Sequence, residues 1–400
     1  MKGLRSVRVQ MTGRYARRWL IAATALAGAT LGCSTPKPVP PGQALRSENE
    51  RHIARFGDFE LPRKLGFVEN TGLQLPVVSP DGRWMLYLRT DRPALSPWTL
   101  LGSTDPQHTP TEGMLSLWMR PTDGNSAGEQ VSKHRWCHSP VWSDSGQALL
   151  YVANEPPGSF IVHRDLAGGQ EVQLGVPQAV NCLPRFDRDD QTILFCSGPK
   201  AEGPFRIWRQ STDGAEPVAL TPEGMDCVLP LLADADGTVV CGCLESGHLT
   251  WVRCGKQGSV ALAAQGAVSD RSHLLQTWAG IPSPLSPDRR CFLFYDATQN
   301  RIVSCRLSDR GIVRHRQNSI AACWLGEDAV ALATSDWVFA VNVSTGLSPQ
   351  VLNGAWVPCR YLSAANRLLM LGAERRGRFS IVDVVFKPKV SMPAGERHLP

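Results

Sequence analysis

A short strand–turn–strand pattern returns seven times along this chain, and nothing else in the sequence limits its fold so sharply. The clearest copy is Pro76–Leu88, where Ser79-Pro80-Asp81-Gly82 supplies turn chemistry between two apolar runs. Further copies begin at Pro140, Pro184, Pro230 and Leu285, and shorter ones lie at Trp324–Asp328 and Tyr361–Asn366. A second pattern alternates with the first. Leu117-Trp118 followed by Thr122-Asp123-Gly124 is nearly duplicated by Ile207-Trp208 followed by Thr212-Asp213-Gly214. Each such turn leads into another short β-type run, such as Glu171–Leu174 or Pro217–Leu220. The turn glycines fall at 124, 168, 214, 258, 311 and 346, giving spacings of 44, 46, 44, 53 and 35 residues. A period in the forties that carries four strands is that of a β-propeller blade.

The expected fold is therefore all-β: a propeller of seven four-stranded blades, with six or eight also compatible because the 53-residue unit is irregular. The 36 glycines and 30 prolines, spread at near-regular intervals, agree with many turns and few helices. The last unit, from Val357, offers only three strands, ending near Arg378–Phe386. Phe59–Val68 is predicted to supply the fourth and close the ring, because an open propeller leaves sheet edges free to pair.

The net charge of +6 belongs to one end of the chain. Lys2, Arg5, Arg8, Arg14, Arg17 and Arg18 account for it, and residues 1–32 contain no acid. The remainder is near neutral, which excludes the clustered basic surface of a nucleic-acid binder. The basic stretch runs into the apolar segment Trp19–Leu31. As a helix that segment reaches about 20 Å, short of the roughly 30 Å bilayer core, and it fits a signal segment instead. Its end, Thr30-Leu31-Gly32-Cys33, resembles the lipobox of bacterial lipoproteins. Gly32 and Cys33 match, while leucine sits one place later than usual and Thr30 takes the expected leucine position. The resemblance implies lipid attachment at Cys33 and a periplasmic or cell-envelope location. Arg17-Arg18-Trp19-Leu20 is also similar to a twin-arginine signal, with Ala16 in place of the usual hydroxyl residue. The proline-rich run after Cys33 reads as an extended tether. The expected organisation is a signal at 1–32, lipidated cysteine and tether at 33–58, propeller at 59–390 and a tail at 391–400.

Ser79-Pro80-Asp81-Gly82-Arg83-Trp84 and the segment Ile207–Thr221 resemble the TolB-type family of WD-like propeller repeats. The resemblance covers residues 60–386. It implies exported propellers that bind proteins, peptides or glycans.

Eleven cysteines remain once Cys33 is set aside, and in an exported chain they raise the question of disulfides. Pairing Phe186 with Thr192 across the hairpin puts Cys182 opposite Cys196, and the same counting puts Cys227 opposite Cys243. The hairpin over 297–300 brings Cys291 near Cys305, and Cys241 and Cys254 come within about one residue of register. At least one of these four pairs is expected to bridge. The alternative is small buried thiols filling tight blade cores.

Other candidate chemistry dissolves into structure. Cys241-Gly242-Cys243 has no second ligand pair at zinc spacing. In His134–His138, a strand geometry turns His134 and His138 one way and Cys137 the other. Asp187-Arg188-Asp189-Asp190 and Asp234-Ala235-Asp236 fall on the recurrent hairpin and lack the calcium-loop spacing. No metal or cofactor is expected, and no nucleophile elbow, zinc-protease helix or phosphate loop is present. The repeat also consumes the length that a prolyl-oligopeptidase-type hydrolase domain would need. Trp118 with Trp208, and Trp142 with Trp324, recur at equivalent positions and are assigned to blade packing. Trp98, Trp278, Trp337 and Trp356 are less regular and are the candidate binding aromatics. The insertion Ala94–Gly113 is the candidate contact loop.

Two functions are compatible with this pattern. One is a monomeric, membrane-tethered scaffold for a protein, peptide or glycan. The other is a lyase or glycoside-acting enzyme whose residues converge in the channel from separate blades. Several convergent acids, bases or arginines in the channel would favour the enzyme; an apolar or plugged channel would favour the scaffold.

Overall fold

The computed structural model describes residues 58–59, 63–69, 74–90, 115–155 without 125 and 135, 158–255, 258–267, 281–343 without 297, 350–353, 356–375 and 378–387. These form seven antiparallel sheets in chain order, each a blade whose strands run from A at the axis to D at the rim. Blade I is Val77–Val78, Trp84–Thr90, Leu115–Pro121 and Glu129–Gln130. Blade II is Cys137–Trp142, Ala148–Glu155, Gly158–Asp165 and Glu171–Leu174. Blade III is Val180–Phe186, Thr192–Gly198, Arg206–Ser211 and Val218–Ala219. Blade IV is Asp226–Ala233, Val239–Glu245, His248–Gly255 and Gly258–Ala267. Blade V keeps Cys291–Asp296, Arg301–Arg306 and Ile312–Gln317, with its A strand reduced to a single bridge, Leu285 to Phe292. Blade VI is Ala321–Trp324, Ala329–Ala333, Trp337–Asn342 and Gln350–Asn353. Blade VII is Trp356–Leu362, Arg367–Arg375 and Arg378–Lys387.

The count of seven follows, and the irregular 53-residue spacing takes in residues 268–284, which lie between the D strand of blade IV and the Leu285 bridge of blade V. Closure also follows. The fourth strand of blade VII is Arg63–Glu69, antiparallel to Arg378–Lys387, with Arg63 opposite Asp383 and Glu69 opposite Arg378. Asp58–Phe59 extends the same edge by pairing with Lys387 and Phe386.

The hairpin motif has a local chemical cause. Ser79 Oγ accepts the Trp84 N–H at 3.0 Å and donates to Asp81 at 2.6 Å, and Gly82 takes a left-handed φ of 73°. Ser143 Oγ accepts from Ala148 N–H at 3.0 Å, and Ser286 Oγ from Cys291 N–H at 2.9 Å, so one side chain closes the turn in three blades. The B strands are apolar without alternation because blades stack on both of their faces. Leu149–Ala153 is wholly buried in this way. The apolar seams between blades merge into one large core reaching from blade I to blade V, and a second joins blades VI, VII and I.

Two recurrent tryptophans sit where repetition predicts. Trp142 Nε1 donates to Val77 O of blade I at 3.0 Å, and Trp324 Nε1 to Pro284 O of blade V at 3.1 Å. Trp118 and Trp208 share their C-strand position and are each covered by an arginine, Arg89 at 4.6 Å and Arg206 at 5.3 Å.

Candidate functional site

The A strands of neighbouring blades contact one another and so line the axis. In blades II, III and IV they share an unusual backbone. Each ladder slips, between His138 and Val141, Cys182 and Arg185, and Val228 and Leu232. At each slip a residue with left-handed φ precedes a proline: Ser139 at 52°, Leu183 at 51° and Leu229 at 52°. Proline removes a ladder donor and is tolerated at an edge such as the axial one. The left-handed turn costs a leucine about 1–2 kcal/mol. Recurrence in three blades marks this strain as a property of the repeat, not of a single catalytic elbow.

The axial wall is mainly apolar. Leu183, Leu229 and Leu231 are buried, as are Pro140, Pro184 and Pro230. Polar groups break it at few places. Arg185 donates to Pro230 O at 3.4 Å. Burial pushes its guanidinium down to about 10, against the pull of Asp144 and Asp187. Arg360 reaches Ser283 Oγ at 3.4 Å, joining blades VII and V. On the side away from the hairpins, His138 sits fully buried between Ser139 Oγ (3.0 Å) and Asn154 Oδ1 (3.2 Å), and burial pushes its imidazole down to about 4. Ser139 N–H donates to Gln74 Oε1 at 2.8 Å. This set staples blade I to blade II. Its serine and histidine are committed to neighbours and almost closed to solvent.

The hairpin end of the axis is tied across. Arg289 of blade V reaches Asp144 of blade II at 2.7 Å, although 145 residues separate them. The Asp190 carboxylate accepts the N–H groups of Asp144 and Ser145 at 2.9 and 2.8 Å. Arg188 pairs with Asp234, and Arg209 lies 3.3 Å from the buried Asp187. The two acidic loops are turn and ion-pair elements. Asp189 and Asp236 cap their own turns through Gln191 N–H and Thr238 N–H. Among the described residues no group of His, Cys, Asp or Glu is placed to hold a metal ion.

The predicted cysteine pairs divide. Cys182 stands directly opposite Cys196 and Cys227 opposite Cys243. The premise for the first was one residue off: Phe186 faces Ile193, and the slip at Leu183 restores the count. Cys291 and Cys305 need correcting. Cys291 faces Arg306 and Cys305 faces Phe292, so the thiols point to opposite sides of the sheet and enter different cores. Cys254 faces Val239 and Cys241 faces Val252, a diagonal offset of two residues. Diagonal neighbours sit about 7–8 Å apart, too far for a disulfide. All eleven described cysteines are free thiols in this structure.

His134 lies ahead of the A strand of blade II, not on it. It pairs with Glu155 at 3.0 Å and packs edge-on to Phe160, while Cys137 Sγ turns back to His134 O. Trp337 and Trp356 are half-buried. Trp337 joins the core between blades V and VI, and Trp356 lies over the bare face of Gly372, its cross-strand partner. Cys33, Trp98, Trp278 and the insertion 94–113 lie outside the described residues. The signal the sequence reading missed is the residue before the A-strand proline, which recurs in three blades and sets the cysteine register.

No protein-family model and no curated protein matches the chain. Solved structures do. An oligogalacturonate lyase in complex with manganese aligns with a TM-score of 0.52 at 11% identity, over 82% of this chain and 98% of that one. A chain of the mitotic checkpoint complex aligns at 0.51 and 10% identity, over 88% and 98%. TolB from Acinetobacter baumannii aligns at 0.44 and 16% identity, over 78% of this chain; this chain spans 65% of the TolB length. TolB propellers are thus among the structural neighbours, alongside propellers of unrelated role, and the likeness is one of fold. On its own strand order and closure, the chain is a seven-bladed β-propeller.

Proposed function

We propose that the protein is an exported, lipid-tethered scaffold that holds a protein, peptide or glycan partner on the face opposite the A–B hairpins. The observation that carries this reading is the axis itself. Among the described residues its wall is mainly apolar and its hairpin mouth is tied by Arg289 and Asp144, which favours a scaffold over a channel-sited enzyme. On the opposite face the strands flanking residues 91–114 and 268–280 end and resume, which makes it the face with the longest connections. Long connections on a rigid scaffold are where binding residues accumulate. The chain enters the ring at its rim, at Asp58 beside Lys387, so a tether from Cys33 need not cross either face.

The test uses the full chain in a bacterial host, with a photo-reactive residue at Ser335, exposed on the proposed binding face, or at Asp189 on the hairpin face. A discrete cross-linked partner from Ser335 and none from Asp189, with release from the membrane fraction on Cys33→Ser, is the expected result. Cleavage of oligogalacturonate or another polyuronate, abolished by Arg185→Ala, would instead establish the channel-sited lyase.

A further inference from the structure

One place on the A strand, two residues before each A–B turn, is equivalent in all seven blades by its cross-strand partner. In blades I, II, IV, V and VI it holds Val77, Val141, Leu232, Pro284 and Cys323. In blades III and VII it holds Arg185 and Arg360, opposite Leu194 and Leu369. Five apolar residues and two arginines thus form one ring about the axis. In a circle of seven, blades III and VII stand nearly across from each other.

Both arginine side chains lean toward the axis. Arg185 donates to Pro230 O of blade IV at 3.4 Å and feels the charges of Asp144 in blade II and Arg289 in blade V. Arg360 passes blade VI and donates to Ser283 Oγ of blade V, also at 3.4 Å. The carboxylates nearby already hold other arginines, Asp144 with Arg289 at 2.7 Å and Asp187 with Arg209 at 3.3 Å. Among the described residues Arg360 meets no carboxylate, and Ser283 takes one of its five side-chain N–H groups. Burial above all, and the like charge of Arg289, weigh against the positive charge of Arg185. An anion beside it relieves both. Arg185 and Arg360 each keep intermediate exposure, so solvent reaches them.

We propose that Arg185 and Arg360 clamp a small oxyanion of at least two negative charges in the axial channel. The planar guanidinium fork matches carboxylate and phosphate oxygens, and two forks from opposite sides of the axis suit a ligand charged at both ends. The apolar members of the ring lower the local dielectric and strengthen each contact. They offer no further donors, which keeps the ligand small. The site goes beyond the scaffold reading and stands apart from it, because its tests use neither a partner nor a membrane.

The detergent-solubilised full chain is titrated by calorimetry at low chloride with citrate, inorganic phosphate and acetate. The wild type is also labelled with phenylglyoxal, with and without citrate, and its modified arginines are mapped by mass spectrometry. Arg83, which is 79% exposed, is the labelling reference. Citrate or phosphate is expected to bind more tightly than acetate and to slow labelling of Arg185 and Arg360 but not of Arg83. The tighter of the two identifies the ligand as a polycarboxylate or a phosphate. Arg185→Gln and Arg360→Gln are each expected to weaken that binding roughly tenfold or more, the loss of a charged hydrogen bond. Equal affinity for acetate would overturn the clamp, as would wild-type affinity in a folded Arg360→Gln. Labelling of both arginines unaffected by citrate and phosphate would also overturn it, and so would no labelling of either without an anion, which would mean a sealed channel. Where a variant does not fold, the labelling of the wild type decides.

Discussion

The seams between consecutive blades and the seam that closes the ring solve one problem by different chemistry. Between consecutive blades the chain itself limits separation, and the seams are mainly apolar, crossed by hydrogen bonds such as Trp142 to Val77 and Trp324 to Pro284 and by exposed charged contacts at the hairpin face such as Arg188 with Asp234. At closure, Arg63 must meet Asp383 across 320 residues. By loop entropy that costs about 2 kcal/mol more than joining neighbouring blades. Charge gathers there. Asp383, 4% exposed, takes two bonds from Arg367 at 2.9 and 2.8 Å and one from Arg63 at 3.1 Å. Arg120 of blade I donates to Phe67 O and Gly124 O, and Arg378 covers the Phe67 ring at 3.6 Å. The Gly66 and Gly124 backbones meet so closely that a Cβ at Gly66 would lie 2.6 Å from the Gly124 Cα. Directional bonds select one register for a strand that arrives from the far end of the chain. The consecutive seams do not need that selection.

The sharpest way to break this comparison is at Asp383. Asp383→Ala leaves Arg367 without its bidentate partner and is expected to cost about 3–5 kcal/mol in urea unfolding. Arg63→Ala removes a side chain that is 70% exposed and is expected to cost no more than about 1 kcal/mol. Equal losses from the two would mean that closure does not rest on the buried pair.

Acid separates the seams by another route. His138 staples blades I and II as a neutral imidazole, pushed down to about 4 by burial, and His315 in blade V is pushed down to about 4 for the same reason. As pH falls below the ordinary 6.5, the unfolded chain takes up protons that the folded chain refuses. The histidine contribution to stability is therefore full above about pH 7, is lost between 6.5 and about 4, and levels off below. His138 contributes a loss of roughly 3 kcal/mol over that window. Urea midpoints measured from pH 7.5 to 4 should fall less steeply in His138→Gln, with the remaining slope carried by His315 and His163, which burial also pushes down. An unchanged slope would remove His138 from the staple.

Most of the fold was legible because it is written in repeats: turn residues at fixed intervals report blades whatever fills them, and the unpaired last unit reports the missing strand. The ion triad at closure was not legible. Arg63, Arg367 and Asp383 recur nowhere else, and only the register brings them together. The cysteine pairs lay between these cases. Cys182 and Cys196 could be matched by counting, yet the count depended on a slip at Leu183 whose cause, a left-handed residue before proline, has no strong local propensity. Of the candidate aromatics, Trp356 owes its irregular position to Gly372, whose bare face it covers across the ladder.

The smallest expected effect tests whether the consecutive seams are truly equivalent. Trp142→Phe and Trp324→Phe each keep an aromatic ring and delete one hydrogen bond, from Nε1 to a carbonyl of the preceding blade at 3.0 and 3.1 Å. Both tryptophans are nearly buried, at 7% and 5% exposure, so little water replaces the lost bond, although Pro284 O keeps the Leu293 N–H at 2.8 Å. Each change is expected to cost about 1–2 kcal/mol, the lost bond plus the volume difference. They differ in what lies behind the bond. Val77 belongs to an A strand with its own ladder, whereas Pro284 adjoins the lone Leu285 bridge that is all blade V retains of its A strand. If the seams are equivalent, the two losses match within about 0.5 kcal/mol and add in the double variant, since the sites share no partner. A distinctly larger loss for Trp324→Phe would mean that Trp324 also holds the reduced A strand of blade V in line, and blade V would then be the joint at which the ring opens first.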